Sequence, residues 1–316
     1  MKIVVLDGYN ANPGDLSWEP VSRHGDFRVY DRTAADETVQ RIGDAEIVLV
    51  NKATITRDVM DACPSLRYVG VLATGYNVVD TEAARERGVA VTNIPAYSTA
   101  SVAQHSFALL LELCHRAGHH SDTVMQGRWQ GGVEWCYWDF PLVELDGKTL
   151  GIVGFGRIGQ ATARIARAFG MEVIVCSRSA RPGSDLRFVG MDELFAASDV
   201  ITLHCPLTEE TRGLIRKENI DKMKRGVRII NTARGPLVVD GDLAEALRDG
   251  RVSGAGLDVL TQEPPRDGNP LIGAPNCIIT PHMAWAPIES RARLMEIAGA
   301  NIAAFISGRP VNVVNP

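Results

Sequence analysis

The residues that could carry out acid–base chemistry are an arginine, a glutamate and a histidine in the second half of the chain. Each of them, Arg234, Glu263 and His282, comes just after a segment that reads as a β-strand. A guanidinium can hold a carboxylate through two parallel hydrogen bonds. A carboxylate hydrogen-bonded to an imidazole stabilises the protonated ring. The histidine then stays protonated up to a higher pH, which makes it an effective acid near neutral pH. The pattern predicts binding of an organic acid and transfer of a proton.

The position of these residues relative to the predicted strands supports this interpretation, but simpler interpretations remain open. In open α/β sheets, ligands gather at the carboxyl ends of the strands. Arg234 could instead be a surface arginine, and a histidine at a strand end is often only a cap or a packed polar group. The catalytic role of the three residues is therefore a hypothesis at this point.

A glycine-rich segment predicts a dinucleotide cofactor. Gly154, Gly156 and Gly159 form the pattern G-x-G-x-x-G between an apolar strand and a segment with apolar residues at helical spacing. Gly154 permits the tight turn, Gly156 lets amides approach a pyrophosphate, and Gly159 allows close packing of helix and strand. The alternative is a glycine-rich turn in an ordinary βα unit. We expect cofactor contacts from the whole loop, namely Gly154, Phe155, Gly156, Arg157, Ile158 and Gly159.

Two series of short apolar runs alternate with helical patterns and must position these residues. The first series predicts strands at 3–6, 27–30, 47–50, 68–72 and 89–92, and helices at 34–42, 56–62 and 80–87. A longer apolar helix is predicted from 98 to 115, and the segment 119–145, which has no clear period, is interpreted as a connector. The second series predicts six strands, at 149–153, 172–176, 199–204, 228–231, 254–259 and 277–280.

These elements predict an α/β protein with two doubly wound parallel-sheet domains. The second series fits a Rossmann dinucleotide-binding domain at 99–285. We expect that domain to be inserted in a flavodoxin-like substrate domain made of 1–98 and 286–316. The predicted helix at 288–306 is long enough to return to the first domain, and a chain of 316 residues is long enough for two cores.

Composition and charge exclude several classes of partner. A net charge of −5 and a pI near 5.8 argue against nucleic acid. Without a spanning apolar run or a signal peptide, the chain is expected to be cytoplasmic and to have no membrane partner. The six cysteines are scattered, which favours reduced thiols over disulfides or a metal cage. We predict no metal, because His115, His119 and His120 lack a carboxylate at metal-site spacing and read as a solvated helix end.

Several strings of residues, in their order along the chain, resemble one enzyme family. They are the glycine loop, Asn-Thr-Ala-Arg-Gly-Pro-Leu-Val at 231–238, Gly-Leu-Asp-Val and Glu-Pro within 256–264, and Thr-Pro-His at 280–282. Over nearly the whole chain they closely resemble the D-isomer-specific 2-hydroxyacid dehydrogenases. The segments 71–80, 92–98, 136–138 and 282–287 are similar to the glycerate dehydrogenase, or hydroxypyruvate reductase, branch of that family.

The resemblance implies reversible hydride transfer between a nicotinamide and C2 of a small 2-keto acid. His282 would protonate the new alkoxide, and Glu263 would orient His282. Arg234 would bind the carboxylate and polarise the keto group as negative charge develops on it. The first domain would supply further substrate contacts, from the amides of Thr74 and Gly75 and from Lys52.

The resemblance also assigns second-domain residues to the cofactor. Asp258 would contact the nicotinamide carboxamide, and the loop that begins at His204 would run beneath the cofactor. The other cofactor contacts that it assigns are Cys205, Pro206, Thr211, Thr232, Ala233 and His282. Val102 departs from the family pattern, because many relatives have a threonine there near the nicotinamide.

The connector is unusually aromatic, with Trp129, Trp135, Tyr137 and Trp138. In the family this region meets a second subunit, so the resemblance implies a homodimer. The alternative is that the aromatic residues form a cover over the domain hinge within one chain.

Cofactor choice depends on the end of the second Rossmann strand. NAD-preferring members of the family have an acidic residue there, whereas this chain has Ser177 and Arg178, with Arg181 nearby. The absent carboxylate removes a repulsion, and the arginines offer positive charge to a 2′-phosphate. We predict that NADP(H) is preferred and NAD(H) is possible; the alternative is that both arginines are solvated loop residues.

Rival activities are separated by single features. Formate dehydrogenases of the family pair the histidine with glutamine, so Glu263 argues against formate. A dinucleotide-sensing corepressor has the same fold but bears extra tails, whereas this chain ends soon after its last predicted helix. Hydroxypyruvate or glyoxylate is the expected keto acid. Glycerate, glycolate and D-lactate stay open as the hydroxy acid, because they differ only by small groups at C3.

Overall fold

The computed structural model describes residues 1–178 and 185–316. Within these residues the chain forms two compact units. Unit 1 consists of Met1–Ser98 and Ala286–Pro316, and unit 2 is Thr99–Trp285. Arg181, which the sequence places near the cofactor, lies outside the described residues.

The strands pair in parallel within each unit. Unit 1 contains β1 (Lys2–Val5), β2 (Asp26–Val29), β3 (Ile47–Val50), β4 (Tyr68–Val71) and β5 (Ala90–Thr92). Unit 2 contains β6 (Thr149–Val153), β7 (Glu172–Cys176), β8 (Arg187–Phe188), β9 (Val200–Leu203), β10 (Val227–Asn231), β11 (Val252–Leu257) and β12 (Cys277–Ile279).

The helices alternate with these strands. Those of unit 1 that precede unit 2 are α1 (Glu19–Ser22), α2 (Thr38–Ile42), α3 (Arg57–Ala62) and α4 (Thr81–Glu86). Those of unit 2 are α5 (Thr99–His115), α6 (Ala117–Met125), α7 (Arg157–Ala168), α8 (Met191–Ala197), α9 (Lys217–Ile220) and α10 (Asp240–Arg248). The last helix, α11 (Ile288–Ile306), belongs to unit 1, and short 3₁₀ turns lie at Ala35–Glu37 and Gly235–Leu237.

Unit 1 is a five-stranded sheet in the order β2-β1-β3-β4-β5, which is the flavodoxin-like order. Its inner strands β3 and β4 are buried along their whole length, which explains their uninterrupted apolar sequence. The chain returns to this unit through α11, which packs against α1 and β4. Arg291 of α11 is buried and holds the Asp15 carboxylate through two hydrogen bonds of 2.7 and 2.6 Å.

Unit 2 is a seven-stranded sheet in the order β12-β11-β10-β9-β6-β7-β8, which is the Rossmann order extended by β12. The predicted fold class, two doubly wound parallel sheets, is confirmed. The prediction of six strands in this sheet was wrong, because β8 is a two-residue edge strand with no apolar run to reveal it. β6 and β7 have the predicted bounds, and the ends of the remaining four strands differ from the predicted ends by at most two residues, as is usual for element boundaries.

The segment predicted as a featureless connector begins with a helix, α6. Arg116, which adopts a left-handed backbone with φ of 51°, separates it from α5. None of the residues of α6 is buried, so its sequence has no apolar stripe that would predict a helix. Within the described part of the chain, no helix is both long and apolar enough to cross a membrane.

Candidate active site

Arg234 lies just beyond the carboxyl end of β10, in a turn that a buried asparagine holds. The side chain of Asn231 accepts a hydrogen bond from the Ala233 amide at 3.0 Å and donates one to the Arg234 carbonyl at 2.9 Å. Asn231 therefore holds the turn through backbone atoms of residues 233 and 234. The guanidinium itself is exposed, and its Nη1 donates to the Ala233 carbonyl at 2.7 Å.

The turn that carries Arg234 packs directly on the loop that carries Glu263. A Cβ atom on Gly235 would lie 1.9 Å from the Leu260 carbonyl oxygen and 2.5 Å from the Thr261 nitrogen. Only glycine allows this approach of two backbones. The amide of the same Leu260 donates to Glu263 Oε1 at 3.0 Å. Leu260 therefore contacts both the Arg234 turn and the Glu263 side chain.

Glu263 and His282, the two residues for which the sequence predicts acid–base chemistry, lie in hydrogen-bond contact. Glu263 Oε2 lies 2.6 Å from His282 Nδ1, and the two side chains are 34% and 32% exposed. Because Nδ1 is engaged with the carboxylate, Nε2 is the ring nitrogen left to exchange a proton with a substrate. The partial exposure allows a small molecule to reach the ring.

His282 occupies a tight turn after β12, with a left-handed φ of 53°. Its amide donates to the carbonyls of Asp258 and Thr280, both at 2.9 Å. Non-glycine residues rarely adopt this backbone region, and they keep it only where the surroundings hold them there. The surrounding hydrogen bonds therefore hold His282 in this backbone conformation.

The glycine loop connects β6 to α7, as predicted. Gly154 has a φ of 94° and lies so close to the 204–205 backbone that a Cβ would be 2.6 Å from the Cys205 nitrogen. A Cβ on Gly159 would meet the Gly154 carbonyl oxygen at 2.3 Å. In contrast, a Cβ on Gly156 would meet no protein atom within 4 Å. Gly156 precedes the first turn of α7, so open space lies where that helix can bind a pyrophosphate.

The rest of the glycine loop is held by contacts with neighbouring residues. The Gln160 side chain donates to the carbonyls of Phe155 and Gly156 at 3.2 and 3.0 Å. Phe155 packs edge-on against Phe188 with ring centroids 5.6 Å apart. Arg157 is exposed and Ile158 is half-buried.

The loop after β9 is closed by its own hydrogen bonds. His204 Nε2 lies 3.0 Å from Thr202 Oγ1, and burial lowers the pKa of His204 to about 4, so this ring is neutral at physiological pH. The Thr211 hydroxyl donates to the Pro206 carbonyl at 2.7 Å. Burial raises the pKa of the Cys205 thiol, and the positive charge of Arg178 acts in the opposite direction.

Two other residues that the resemblance assigns to the cofactor are engaged with protein groups. Thr232 is buried, and its hydroxyl lies 3.0 Å from that of Ser106. Asp258 is 1% exposed, and its carboxylate accepts hydrogen bonds from the amides of Met283 and Ala284 at 2.9 and 2.8 Å. Ala233 is half-buried in the turn described above.

The candidate substrate residues of unit 1 lie in loops at the carboxyl edge of its sheet. The Asp7 carboxylate accepts the amides of Asn51, Lys52 and Ala53 at 2.7, 2.5 and 2.8 Å. The Asn51 side chain donates to the Leu72 carbonyl at 2.8 Å. This cross-links the Lys52 loop to the chain that leads to Thr74 and Gly75.

Thr74 is fixed from the next loop as well. Its hydroxyl donates to the Ile94 carbonyl at 2.9 Å, and Asn93 donates to the Thr74 carbonyl at 2.7 Å. The sequence interpretation missed Asp7, although Asp7 follows β1 in the same way that Arg234 follows β10. Burial raises the pKa of the Asp7 carboxyl, and the three amides oppose that shift.

The aromatic segment after α6 is exposed in the described chain. Trp135 and Trp138 are 84% and 63% exposed, and the Trp129 indole donates to the Trp135 carbonyl at 2.9 Å. Tyr137 Oη lies 2.7 Å from Thr123 Oγ1. An apolar cavity of about 280 Å³ lies beneath the segment, lined by His115, Ala117, His120, Val124, Trp129, Cys136, Tyr137, Trp138 and Leu142.

The histidines of this segment are held by hydrogen bonds. His119 lies 2.6 Å from Asp139, and His120 accepts the Asp139 amide at 3.1 Å. Hydrogen bonds from Arg128 and His119 hold the pKa of Asp139 far below its usual range. In residues 1–178 and 185–316, no group of three or more His, Cys, Asp or Glu side chains is placed to bind a metal ion.

A glycine loop in a Rossmann sheet, with an arginine and a glutamate–histidine pair beyond strands of the same sheet, defines an oxidoreductase that uses a nicotinamide dinucleotide. Residues 107–284 match the model of the D-isomer specific 2-hydroxyacid dehydrogenase NAD binding domain. The chain belongs to the D-isomer specific 2-hydroxyacid dehydrogenase family, so the resemblance described above is confirmed.

Individual relatives match over nearly the full length. The chain is 56% identical over 321 residues to the hydroxypyruvate reductase of Blautia hydrogenotrophica, with 100% of both chains covered. It is 40% identical over 316 residues to the glycerate dehydrogenase of Methylorubrum extorquens, with 99% and 98% covered. A solved structure of an acyclic imino acid reductase in complex with NADPH and D-Arg superposes with a TM-score of 0.86 at 33% identity, with 99% and 100% covered.

Proposed function

We propose that the protein reduces hydroxypyruvate or glyoxylate to the corresponding 2-hydroxy acid, of D configuration where C2 is chiral, with NAD(P)H as the reductant. The 2.6 Å hydrogen bond between Glu263 and His282, in the unit that also carries the glycine loop, is the observation that carries the proposal. The likeness to a hydroxypyruvate reductase and a glycerate dehydrogenase supports this choice of acid.

The side chains of unit 2 supply a carboxylate anchor and a proton. When bound, the nicotinamide supplies the hydride that C2 of the keto acid accepts. Arg234 binds the substrate carboxylate and stabilises negative charge on the keto oxygen. Protonated His282 gives its Nε2 proton to that oxygen, and Glu263 accepts the Nδ1 hydrogen bond and stabilises the positive ring. One hydride and one proton thus complete the reduction, and the reverse reaction uses the neutral ring as the base.

We further propose that the amides of Thr74 and Gly75 bind the substrate carboxylate and that Lys52 also contacts the substrate. Support comes from the hydrogen bonds of Asp7, Asn51 and Asn93, which fix these loops before any ligand binds. Such preorganisation lowers the cost of ordering the site on binding. The proposal also includes Asp258, which directly follows β11, as a contact of the nicotinamide carboxamide.

A turnover assay tests the proposed function. Hydroxypyruvate, glyoxylate and pyruvate are each mixed with the protein and with NADH or NADPH, and oxidation of the cofactor is followed by absorbance. We expect clear turnover with hydroxypyruvate or glyoxylate. Cofactor binding without turnover of any 2-keto acid contradicts the proposal and favours a dinucleotide-sensing corepressor.

Replacement of Glu263 by glutamine is expected to shift the pH profile. The amide cannot stabilise a positive imidazole, so keto-acid reduction should begin to fall at a lower pH than in the wild type. The acidic limb of 2-hydroxyacid oxidation should move to lower pH for the same reason. The rate of keto-acid reduction at neutral pH should fall about tenfold. Glu245→Gln, on the exposed surface of α10, is the matched control. Profiles that coincide for Glu263→Gln and the wild type contradict the pairing.

We propose that the protein accepts NADPH and prefers it to NADH. Ser177 and Arg178 follow β7 where a carboxylate would bind the adenosine ribose, and the Arg178 side chain is exposed. The complex of the imino acid reductase with NADPH supports the choice, since it has the same fold. Arg181 is included in this proposal on its position in the sequence alone.

The double substitution Ser177→Asp with Arg178→Ala is expected to move selectivity toward NADH. The aspartate adds an acceptor for the ribose hydroxyls, and the alanine removes the positive charge that would bind the 2′-phosphate. The ratio of kcat/KM for NADPH over NADH should therefore fall by about 10- to 100-fold. Arg248→Ala, at the exposed end of α10, serves as the control. A clear NADH preference in the wild type overturns the proposed cofactor choice.

We propose a homodimer in which the exposed aromatic segment of each subunit contacts the other subunit. The exposure of Trp135 and Trp138 is the supporting observation, because such large apolar surfaces are usually covered by a partner. Sedimentation equilibrium measures the mass directly. We also propose a cytoplasmic location, which the six free cysteines support.

A further inference from the structure

A histidine outside the predicted site is hydrogen-bonded to the turn that carries His282. His105, in the second turn of α5, has its Nε2 atom 2.9 Å from Thr280 Oγ1 and 3.5 Å from Asp258 Oδ1. Thr280 Oγ1 in turn lies 2.5 Å from Asp258 Oδ1 and donates to it. A threonine hydroxyl has one hydrogen to donate, so His105 Nε2 must be the donor to Thr280 Oγ1. The direction of this chain of hydrogen bonds is therefore determined.

Asp258, at the end of this chain, binds three consecutive amides of the catalytic turn. Its carbonyl accepts the amide of His282, Oδ1 accepts that of Met283, and Oδ2 accepts that of Ala284. His282 needs such support, because its φ of 53° is unfavourable for a side chain with a Cβ. The position of the His282 ring is thus set by how Asp258 is held.

The charge on Asp258 is stabilised by the same contacts. Burial alone would raise the pKa of this carboxyl, but the nearby His105 and the hydrogen bonds from Thr280 and the two amides outweigh it and hold the pKa below its usual range. His105 is 17% exposed and Asp258 is 1% exposed, so water does not readily replace the lost donor if His105 is changed. Removal of the imidazole leaves the Thr280 oxygen and Asp258 one donor short.

We propose that His105 is a positioning residue for the proposed reaction, acting on His282 through Thr280 and Asp258. The inference rests on the proposed function, in which His282 is the proton donor. Neither the residue type of His105 nor its place on an apolar helix indicates this positioning role. The proposal also gives the carboxylate of Asp258 the task of shaping the His282 turn.

The test compares His105→Asn with His105→Gln. Glutamine places an amide NH₂ close to the position of Nε2 and can still donate to Thr280, whereas the asparagine side chain is too short. We expect His105→Asn to lower kcat for hydroxypyruvate about tenfold with little change in the KM of the cofactor. His105→Gln should recover most of the lost rate. Ser198→Ala, which removes another buried hydrogen bond of unit 2, is the control and should keep the wild-type kcat.

The same substitutions in a His282→Ala background separate positioning from a general structural role. A residue that acts only through His282 has no further effect once that ring is gone, so His105→Asn should leave the residual rate of His282→Ala unchanged. A second tenfold loss in that background overturns the proposal. So does a wild-type kcat in His105→Asn, or a His105→Gln rate as low as that of His105→Asn.

Hydrogen exchange gives a readout that does not depend on turnover. In His105→Asn, the amides of His282, Met283 and Ala284 should exchange faster than in the wild type, and His105→Gln should restore protection. Unchanged exchange in a folded His105→Asn variant overturns the proposal even if the wild type reduces no keto acid, whereas absent wild-type turnover alone contradicts only the proposed function. If His105→Asn does not fold, Thr280→Val and Thr280→Ser replace the pair, since serine keeps the hydroxyl and valine does not.

Discussion

Replacement of His282 by alanine is expected to lower turnover of the keto acid by about 10²- to 10⁴-fold. The alkoxide formed at C2 then has to take its proton from water, because Glu263 alone has no acidic hydrogen to give at neutral pH. Binding of the cofactor should be nearly unchanged, since the glycine loop and the start of α7 do not depend on the ring. Stopped-flow reduction and a fluorescence titration of NADPH measure the two quantities separately.

His115→Ala is the matched control for this prediction, because it removes another histidine of unit 2 from the exposed end of α5. It should keep the wild-type turnover. If His282→Ala reduced every 2-keto acid tried at a near-wild-type rate, the assignment of the proton donor would be wrong. A large loss of NADPH affinity in this variant would also contradict it, because the loss of rate would then come from binding.

The elements that the sequence predicts well are those with a clear hydrophobic pattern. β6, β7 and α11 have the predicted bounds, because apolar runs buried on both faces and a long helix are directly visible in the order of residues. β8 and α6 were missed for the opposite reason. β8 is a short edge strand made of Arg187 and Phe188, and α6 buries none of its side chains, so neither has a hydrophobic period.

The candidate site shows a similar division between the residues proposed to bind a ligand and the residues that hold them. The acid–base pair could be predicted because its members follow strands, and the structure brings Glu263 and His282 together. Their supports could not, since those arise from contacts between distant parts of the chain. His105 and Thr280 are 175 residues apart, and Asp7 and Asn51 are 44 apart.

One of these supports did leave a signal in the sequence. Asp7 lies two residues after the end of β1, which is the same placement that drew attention to Arg234 and His282. Applied to unit 1 as well as to unit 2, the strand-end rule selects this aspartate. Nothing in the sequence comparable to this marks His105, because a polar residue within an apolar helix is equally consistent with a solvent-facing position.

Replacement of Arg234 by lysine is expected to lower kcat/KM for the keto acid by about 10²- to 10³-fold. Lysine keeps the positive charge but loses the planar group that can hold a carboxylate through two bonds while also facing the keto oxygen. Both KM for the keto acid and kcat should change, because the same side chain acts in binding and in stabilising the developing charge. The KM of the cofactor should stay close to the wild-type value.

The structure makes this a clean test of the guanidinium. Asn231 holds the turn through the Ala233 amide and the Arg234 carbonyl, so the loop should keep its shape when the side chain changes. Thermal unfolding of Arg234→Lys is therefore expected to match that of the wild type, and Arg248→Lys on α10 controls for the loss of one arginine. Addition of guanidinium ion to Arg234→Ala should restore part of the rate. Unchanged kinetics in Arg234→Lys would demote Arg234 to a structural role and leave the substrate carboxylate without its proposed ligand in unit 2.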